Sequence, residues 1–406
     1  GYEWIHPTIQ QQYRGYDGVD ADHNYHWHDA IREINLLHND TIISPDNNPC
    51  GLDIDAPCDD NNHGTHTMGT MVGDDGGDNQ IGVAPAAQWI GCRNMERGWG
   101  SPASYIECFE WFLAPTNLDG EFPDPTMAPH VIANSWGCPE IEGCNPDNFA
   151  LMEMAVEALR AAGVVVVVSA GNDGSECSTV QNPSAIFEGA FSVGASNNMD
   201  GIAGFSSRGA VTVDGSLRLK PNVVAPGVSI RSAVRNGEYR TWNGTSMAGP
   251  HVAGAVALLL SAAPHLEGEV DSIEAIFEST ALELLSDQDC NGFLGSVSPN
   301  AVYGHGRIDV LAAVESTMQI VNTEEVTRSQ YETFPNPASA DWWVSGPESN
   351  TTQLIELYDG LGRRVKNISY QQQVQRVDVS DLTAGIYTYR IGTAGNWISG
   401  KLLVVE

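Results

Sequence analysis

The stretch "NFALMEMAVEALRAAGVVVVVSAGN", residues 148–172, predicts a helix followed directly by a strand. The helix is indicated by five apolar residues with a period close to that of an α-helix, namely Leu151, Met154, Ala155, Ala158 and Leu159. Gly163 then closes the helix as its C-cap. The valine run at 164–168 shows no polar alternation, which is typical of a strand buried on both faces.

The same alternation of strand and helix extends on both sides of this stretch, over about residues 80–315. "AAQWIGCRN" at 86–94 predicts a strand, "PASYIECFEWFL" at 102–113 a helix, and "HVIANSW" at 130–136 another strand. Strands that alternate with helices form a parallel sheet covered by helices. We therefore expect an α/β fold built on a doubly wound parallel sheet.

The pattern changes after about residue 318 to short segments such as "QLIELYD" and "GIYTYRI", which are separated by turn residues. Their period of two predicts strands, and several such strands in succession predict a small antiparallel β-sandwich. The sequence therefore predicts a first domain at 1–318, a polar linker at 319–331 and an all-β domain at 332–406.

Charge and hydropathy exclude several classes of partner. The chain of 406 residues has 19 Lys and Arg against 52 Asp and Glu, a net charge of −33. Such a surface repels nucleic acid and anionic membranes. No run of 18 apolar residues is present, so we expect no membrane span. No charged and then apolar leader opens the sequence, which for an exported protein suggests that residue 1 is not the natural N-terminus.

The cysteines indicate an oxidising compartment. The eight are Cys50, Cys58, Cys92, Cys108, Cys138, Cys144, Cys177 and Cys290. None of their spacings is C-x-x-C, so four disulfides are more natural than a zinc ribbon. Cys50–Cys58 and Cys138–Cys144 would each close a tight loop, but the sequence leaves the connectivity open.

Ser246 is the first candidate for chemistry. It lies in "WNGTSMAGPHVAGAVALLLSAA", residues 242–263, at the start of an apolar helix. Free backbone N–H groups and the positive end of the helix dipole surround a hydroxyl at that position. The alternative is a simple N-cap serine. Ala248 stands where a G-x-S-x-G elbow has its second glycine, which disfavours an α/β-hydrolase.

Two other motifs offer a base and an amide donor. "NNHGTHTMGT" at 61–70 contains His63 and His66, and a His63/His66 zinc site is disfavoured because no carboxylate–helix context supports it. "SAGN" at 169–172 ends the buried strand, where Asn172 could donate to a developing oxyanion. The alternative is an ordinary turn between strand and loop.

Taken in this order, "NNHGTHTMGT", "SAGN" and "NGTSMAGPHVAG" resemble the motifs of the subtilisin-like serine proteases, over about residues 1–318. "GYEWIHPTIQQQYRGYDG", "DNQIGVAPAAQWIGCRNM" and "ANSWGCP" are similar to the bacillopeptidase F-like branch of that family. The resemblance implies an endopeptidase that acts on proteins and peptides through a serine acyl-enzyme. It implies no cofactor for catalysis.

The resemblance also implies roles for the matching residues. His63 matches the general base, Ser246 the nucleophile and Asn172 the oxyanion-hole amide, whereas His66 and His251 match structural positions. The implied substrate-binding residues are Ser135, Trp136, Gly137, Ala170, Gly171 and Gln181. The first three match an edge segment that pairs with an extended substrate, and Gln181 matches the base of the S1 pocket.

The aspartate that orients the histidine is the missing part of this match. In the family it belongs to a D-[TS]-G triplet, and Gly1 matches the glycine of that triplet. The aspartate would thus lie two residues upstream, and we expect residues 1–406 alone to be inactive. The alternative is a substitute carboxylate from Asp17, Asp20, Asp22, Asp29, Asp59 or Asp60.

A calcium loop is an open prediction. "GDDGGDNQ" at 73–80 falls where many relatives have such a loop, and Asp74, Asp75 and Asp78 are hard oxygen ligands. Gly76, however, stands where relatives often offer an amide side chain.

The last domain has its own resemblance. "FPNPAS" at 334–339, "LYDGLGRRV", "LTAGIYTYRI" and the terminal "KLLVVE" resemble the C-terminal sorting domain of type IX secretion substrates. This implies export through the periplasm to the cell surface or beyond, with the secretion machinery as partner of residues 332–406. The alternative is a carbohydrate-binding or adhesion sandwich.

We therefore predict a secreted serine endopeptidase with an export domain. One alternative is a catalytically inactive relative that serves as a binding or adhesion protein, and intact His63, Ser246 and Asn172 argue against it. Another is a peptidase that processes one partner protein.

Overall fold

The computed structural model describes residues 1–39, 47–318, 331–346, 352–359, 363–393 and 396–405. These residues form two compact units, Gly1–Ser316 and Thr317–Glu406, and each unit is described by itself. All of the predicted linker except Tyr331 lies outside the described residues.

Strands and helices alternate along the first unit as the sequence predicts. Its described strands are β1 (Trp27–Asp29), β2 (Gly91–Arg93), β3 (Val131–Asn134), β4 (Val165–Ser169), β5 (Phe191–Ser196), β6 (Val223–Pro226), β7 (Ile230–Val234) and β8 (Glu238–Trp242). Its described helices are α1 (His63–Val72), α2 (Pro102–Leu113), α3 (Phe149–Ala161), α4 (Thr245–Ala262) and α5 (Val270–Thr280). A further helical segment begins at residue 310.

The central sheet is parallel and covered on both faces. Its strand order is β3-β4-β5-β6, and β1 and β2 form a separate parallel pair, whereas β7 and β8 form an antiparallel hairpin. In β4, Val165 and Val167 pack into a core that includes α4 and α5. Val166 and Val168 pack into a second core, with α2 and α3. Successive side chains of a strand point to opposite faces, so one valine run serves both layers.

A large cavity separates β2 from β3, and we call it the inter-sheet cavity. Its volume is about 890 Å³. Ile90 and Cys92 line one side, and the β3 residues Val131 to Asn134 line the other. The surrounding helices contribute mainly apolar groups: Met68, Met71, Phe109, Phe112, Ala257 and Leu260. The parallel sheet is therefore divided, with two strand edges facing an apolar space.

Helix α3 buries Ala155 and Leu159 as the sequence predicts, but the rest of its buried face differs from the prediction. Leu151 is 60% exposed and Met154 is 70% exposed. The buried face consists of Met152, Ala155, Val156 and Leu159. Both sets of residues have helical spacing, so periodicity alone does not predict which face is buried; the packing of neighbouring elements determines it. The end of the helix is as predicted, because Gly163 follows with a φ of 84°.

Helix α4 is long and apolar enough to cross a membrane by length and composition, although 61% of it is buried inside the protein. It lies against the strands of the central sheet, and Ala248, Val252, Ala255 and Leu259 are fully buried there. The helix is therefore a core element of this unit.

Four disulfides are present, as the even number of cysteines predicts. They join Cys50 to Cys58, Cys92 to Cys108, Cys138 to Cys144, and Cys177 to Cys290. Two of them close the tight loops expected from the sequence. The last one spans 113 residues and ties two distant surface loops together.

The second unit consists of two antiparallel sheets. Its described strands are β9 (Glu332–Phe334), β10 (Asp341–Ser345), β11 (Gln353–Tyr358), β12 (Arg364–Tyr370), β13 (Val374–Asp378), β14 (Gly385–Thr393) and β15 (Asn396–Val404). The strand orders are β13-β10-β9 and β12-β11-β14-β15. Trp342 and Val377 of the first sheet share a core with Ile355 and Ile391 of the second. This confirms the predicted antiparallel all-β architecture.

Candidate functional site

Ser246 lies in the first turn of α4, next to the segment predicted to pair with substrate. Its Oγ donates to the carbonyl oxygen of Ser135 at 3.2 Å, and Ser135 Oγ donates to the carbonyl oxygen of Ser246 at 3.0 Å. Gly244, with a φ of 157°, provides the turn that begins the helix. The side chain of Ser246 is half-buried. Two residues 111 positions apart are thus held face to face.

Asn172 is fixed beside the same helix terminus. Its Oδ1 accepts hydrogen bonds from Thr245 N at 2.9 Å and from Thr245 Oγ1 at 3.1 Å. Because the side-chain oxygen receives both donors, the Nδ2 group is left as a donor. Asn172 follows β4, so a rigid strand delivers this amide to the exposed surface beside Ser246.

His63 is the first residue of α1, and Asp59 caps the helix there. One oxygen of Asp59 accepts from the backbone of Asn61 and Asn62, each at 2.9 Å. The other accepts from Thr65 N at 3.2 Å and from Thr65 Oγ1 at 2.5 Å. Burial, followed by the positive amino group of Gly1, lowers the pKa of His63 to about 4, and the nearby negative charge of Asp59 opposes this shift. His63 is therefore neutral at neutral pH.

Trp242 is a neighbour of His63 that the sequence analysis did not single out. Its ring stacks on His66, with centroids 4.6 Å apart and planes 6° apart, and it lies 6.4 Å from the ring of His63. His66 is fully buried, and its Nε2 donates to the carbonyl oxygen of Arg240 at 3.2 Å. The only sequence signal was the position of Trp242, four residues before Ser246.

The structure gathers Ser246, Ser135 and Asn172 into one cluster, with His63 at the N-terminus of a neighbouring helix. α1 and α4 pack together. Among residues 1–39 and 47–318, no hydrogen bond joins His63 to Ser246, whose hydroxyl donates to Ser135 instead. His63 and Ser246 thus lie on two packed helices without a hydrogen bond between their side chains in the described structure.

None of the substitute carboxylates forms a hydrogen bond to His63 in the described structure. Asp59 is occupied by the cap of α1, and Asp60 accepts from Arg93 Nη2 at 2.7 Å. Asp29 is buried against the same arginine, at 3.0 Å. Asp17 and Asp22 accept hydrogen bonds within their own surface turn. Asp20 lies in the same turn, where its carbonyl oxygen accepts from the backbone of Asp17.

The other predicted substrate-binding residues lie in three places. Trp136 stacks on Tyr105 and lines the inter-sheet cavity together with Ser135 and Gly137. Ala170 and Gly171 adjoin Asn172, and Gly171 N donates to Thr245 Oγ1 at 3.3 Å. Gln181 is exposed, and its Nε2 donates to the carbonyl oxygen of Ser178 at 2.8 Å.

Metal binding stays a prediction. In the described part of the chain, no group of three or more His, Cys, Asp or Glu residues is arranged to hold a metal ion. In the loop at 73–80, Asp74 accepts from Gly76 N at 2.8 Å, and Asp75 accepts from Asn79 Nδ2 at 2.7 Å. These loop carboxylates thus have hydrogen-bond partners within the loop.

Two family models match the chain. Residues 1–306 match the model described as the subtilase family, and residues 332–406 match the model described as a secretion system C-terminal sorting domain. Together, the two matches cover all but the last ten residues of the α/β unit and the described strands of the all-β unit.

Individual relatives agree with the first match. Bacillopeptidase F of Bacillus subtilis (strain 168) is 37% identical over 325 residues, which are 78% of this chain and 20% of the relative. Subtilisin E of the same organism is 31% identical over 301 residues, 73% of this chain and 64% of the relative. Subtilisin of Bacillus pumilus is also 31% identical, and the match covers 73% of this chain and 88% of that protein. The chain therefore spans less than two thirds of the first two relatives.

Proposed function

Because the chain belongs to the subtilase family, we propose that it is a serine endopeptidase that cleaves proteins through an acyl-enzyme on Ser246. The observation that carries this proposal is the cluster of Ser246, Ser135 and Asn172 at the N-terminus of α4. It offers a hydroxyl, an amide donor and an edge segment within one site.

In the proposed reaction, His63 takes the proton of Ser246 as Oγ attacks the carbonyl carbon of the scissile bond. Asn172 Nδ2 and the free N–H of Ser246 in the first helical turn donate to the resulting oxyanion. His63 then gives its proton to the leaving amine as the bond breaks. Water repeats the sequence on the acyl-enzyme and releases Ser246.

The orienting carboxylate belongs to this proposal as well. We assign it to a strand upstream of Gly1 that would fill the inter-sheet cavity between β2 and β3. Gly1 and His63 both line that cavity, so a residue just before Gly1 could approach the imidazole. A carboxylate there would hold one tautomer of His63 and stabilise its charged form.

The sorting domain and the subtilase relatives point to a secreted or cell-surface protein. We propose that residues 332–406 engage the secretion machinery and that the protein crosses the periplasm on its way out. The alternative of an inactive binding or adhesion protein predicts no turnover at all. A processing peptidase would cleave one partner rather than many proteins.

An organofluorophosphonate probe tests the proposed chemistry on the full-length protein with its natural upstream residues. We expect a single adduct at Ser246, located by mass spectrometry, because only an activated serine reacts readily. Ser246→Ala should abolish the adduct, and Ser272→Ala, at an exposed serine of α5, is the control that should keep it. Labelling elsewhere, or none at all, would refute the endopeptidase proposal and favour the inactive binding protein.

A further inference from the structure

The carbonyl oxygen of Ser246 faces a helix position that has no backbone donor. Ser246 lies in the first turn of α4, and the residue four positions further along the helix is Pro250. In an α-helix the carbonyl oxygen of residue i accepts from the N–H of residue i+4, and proline has no N–H. Because buried carbonyl groups are normally paired, this oxygen requires a donor from outside the helix.

A serine hydroxyl from another segment supplies this donor. Ser135 Oγ donates to the carbonyl oxygen of Ser246 at 3.0 Å, and no other side chain of the described structure does so. Ser135 is buried, with 9% of its surface exposed, so water does not compete freely for this carbonyl. The hydroxyl of Ser135 thus takes the place of the missing N–H of residue 250.

The neighbouring carbonyl provides a contrast. Ser169 Oγ donates to the carbonyl oxygen of Thr245 at 2.9 Å, so a second serine contacts the same turn of α4. The residue four positions after Thr245 is Gly249, which does carry an N–H. Ser169 therefore adds a hydrogen bond to a carbonyl that the helix can already pair, whereas Ser135 supplies one that the helix cannot provide.

Ser135 and Ser246 exchange two hydrogen bonds, and the proposed reaction affects them differently. Ser246 Oγ donates to the carbonyl oxygen of Ser135 at 3.2 Å, and this bond must break before His63 can take the proton. The bond from Ser135 Oγ involves only the backbone of Ser246, so it can persist while the hydroxyl of Ser246 turns. The backbone that carries the proposed oxyanion donor, the N–H of Ser246, is then held throughout the attack.

We propose that Ser135 is a positioning residue whose side chain holds the backbone of Ser246 during attack, in place of the helical hydrogen bond that Pro250 removes. The inference rests on the proposed endopeptidase function. It is distinct from the pairing of an extended substrate with the segment around Ser135, because the hydroxyl acts through Ser246 and not through the substrate. Its loss should therefore lower kcat and leave KM nearly unchanged.

Ser135→Thr and Ser135→Val in the full-length protein test the hydroxyl, because the two side chains have nearly the same shape and only threonine can donate. On a four-residue peptide amide we expect kcat of Ser135→Val to be roughly tenfold below that of Ser135→Thr, with similar KM values, which corresponds to the loss of one hydrogen bond from the transition state. Equal kcat values, or a difference confined to KM, would overturn the proposal.

Pro250→Ala returns an N–H to position 250 and tests the proposed role directly. Added to Ser135→Ala, it should recover most of the kcat that Ser135→Ala loses, because the new N–H can donate to the carbonyl oxygen of Ser246. Added to Ser169→Ala, the matched control, it should recover nothing, because residue 250 does not pair with the carbonyl that Ser169 contacts. Pro250→Ala alone completes the double-mutant cycle, and losses that simply multiply in the Ser135→Ala and Pro250→Ala pair would overturn the proposal.

The organofluorophosphonate probe separates this inference from the proposed function. It carries no peptide chain, so its rate of reaction with Ser246 should differ between Ser135→Val and Ser135→Thr by the same factor as kcat. A full-length protein that takes no probe would overturn the endopeptidase proposal itself. A full-length protein that takes the probe, with Ser135→Val and Ser135→Thr reacting equally fast, would overturn only the role of Ser135.

Discussion

In the proposed reaction, Asn172 supplies a single oriented amide donor. Its Oδ1 is held by two donors of Thr245, and the direction of Nδ2 is therefore set before any substrate arrives. Such pre-arranged donors are most effective where negative charge develops only in the transition state.

Asn172→Ala should therefore lower kcat with little change in KM, because no oxyanion exists in the ground state. We expect a loss of about 10²–10³-fold, the range measured for removal of one such donor from a related enzyme. Steady-state kinetics on a peptide amide would check this, with Asp173→Ala as the neighbouring control. A change confined to KM would speak against the oxyanion role.

His66 gives the fold a dependence on pH. It is fully buried beneath Trp242, and desolvation lowers its pKa to about 4 from an ordinary value near 6.5. Between these two values the unfolded chain binds a proton that the folded chain excludes, so stability falls as the pH falls from 6.5 towards 4.

His66→Phe keeps an aromatic ring against Trp242 but removes the titration. The difference in unfolding free energy between pH 7 and pH 4.5 should shrink by about 2 kcal/mol, because the uptake of a proton by this residue on unfolding is lost. Denaturant unfolding at both pH values would measure it. An unchanged difference would show that unfolding is not coupled to protonation of His66.

At the scale of elements, the sequence predicted the position and burial of strands better than the buried face of a helix. The valine run allowed only one prediction, because a fully apolar strand is expected to be buried on both faces. In the structure, β4 packs into two cores. Helix α3 has apolar residues on two overlapping faces, and the face that contains Met152 and Val156 is the one buried against neighbouring elements. The stacking of Trp242 on His66 joins residues that are 176 positions apart, so no local sequence pattern could predict this contact.

The divided sheet is the element-scale feature with the clearest consequence. The described strands leave β2 and β3 with one unpaired edge each, facing the inter-sheet cavity. Unpaired backbone groups next to an apolar space are costly, so a strand inserted there should stabilise the protein.

We therefore expect residues 1–406 alone to melt at a lower temperature than a version extended upstream through the proposed aspartate strand. Turnover should be lower by on the order of 10⁴-fold, the loss measured for the corresponding aspartate in a relative. Calorimetry and peptide hydrolysis would compare the two proteins. Equal activity would point to a carboxylate of this chain, and Asp17, Asp20 and Asp22 would be the first to replace.

At the scale of the molecule, the two units have separate cores and separate proposed tasks. The all-β unit buries Trp342 and Val344 in a core made of its own residues, so its stability does not depend on the residues of the proposed active site. Export and catalysis should therefore be separable.

Removal of residues 332–406 should abolish export and leave peptide hydrolysis by the remaining protein unchanged. Immunoblots of culture supernatant and cell pellet would follow export, and hydrolysis would be measured on the purified protein. If the truncated protein still reached the medium, or lost affinity for a polysaccharide instead, residues 332–406 would be a binding module.

The disulfide between Cys177 and Cys290 encloses Ser246 within its 113-residue span, whereas His63 and Asn172 lie before it. The exposed turn around Gly215 lies inside the same span. A protease works among other proteases and among copies of itself, and such turns are where backbones are first cut. A molecule cut there would stay joined through the disulfide, with the proposed nucleophile Ser246 still linked to the proposed base His63. The cut would become visible only after reduction of the disulfide.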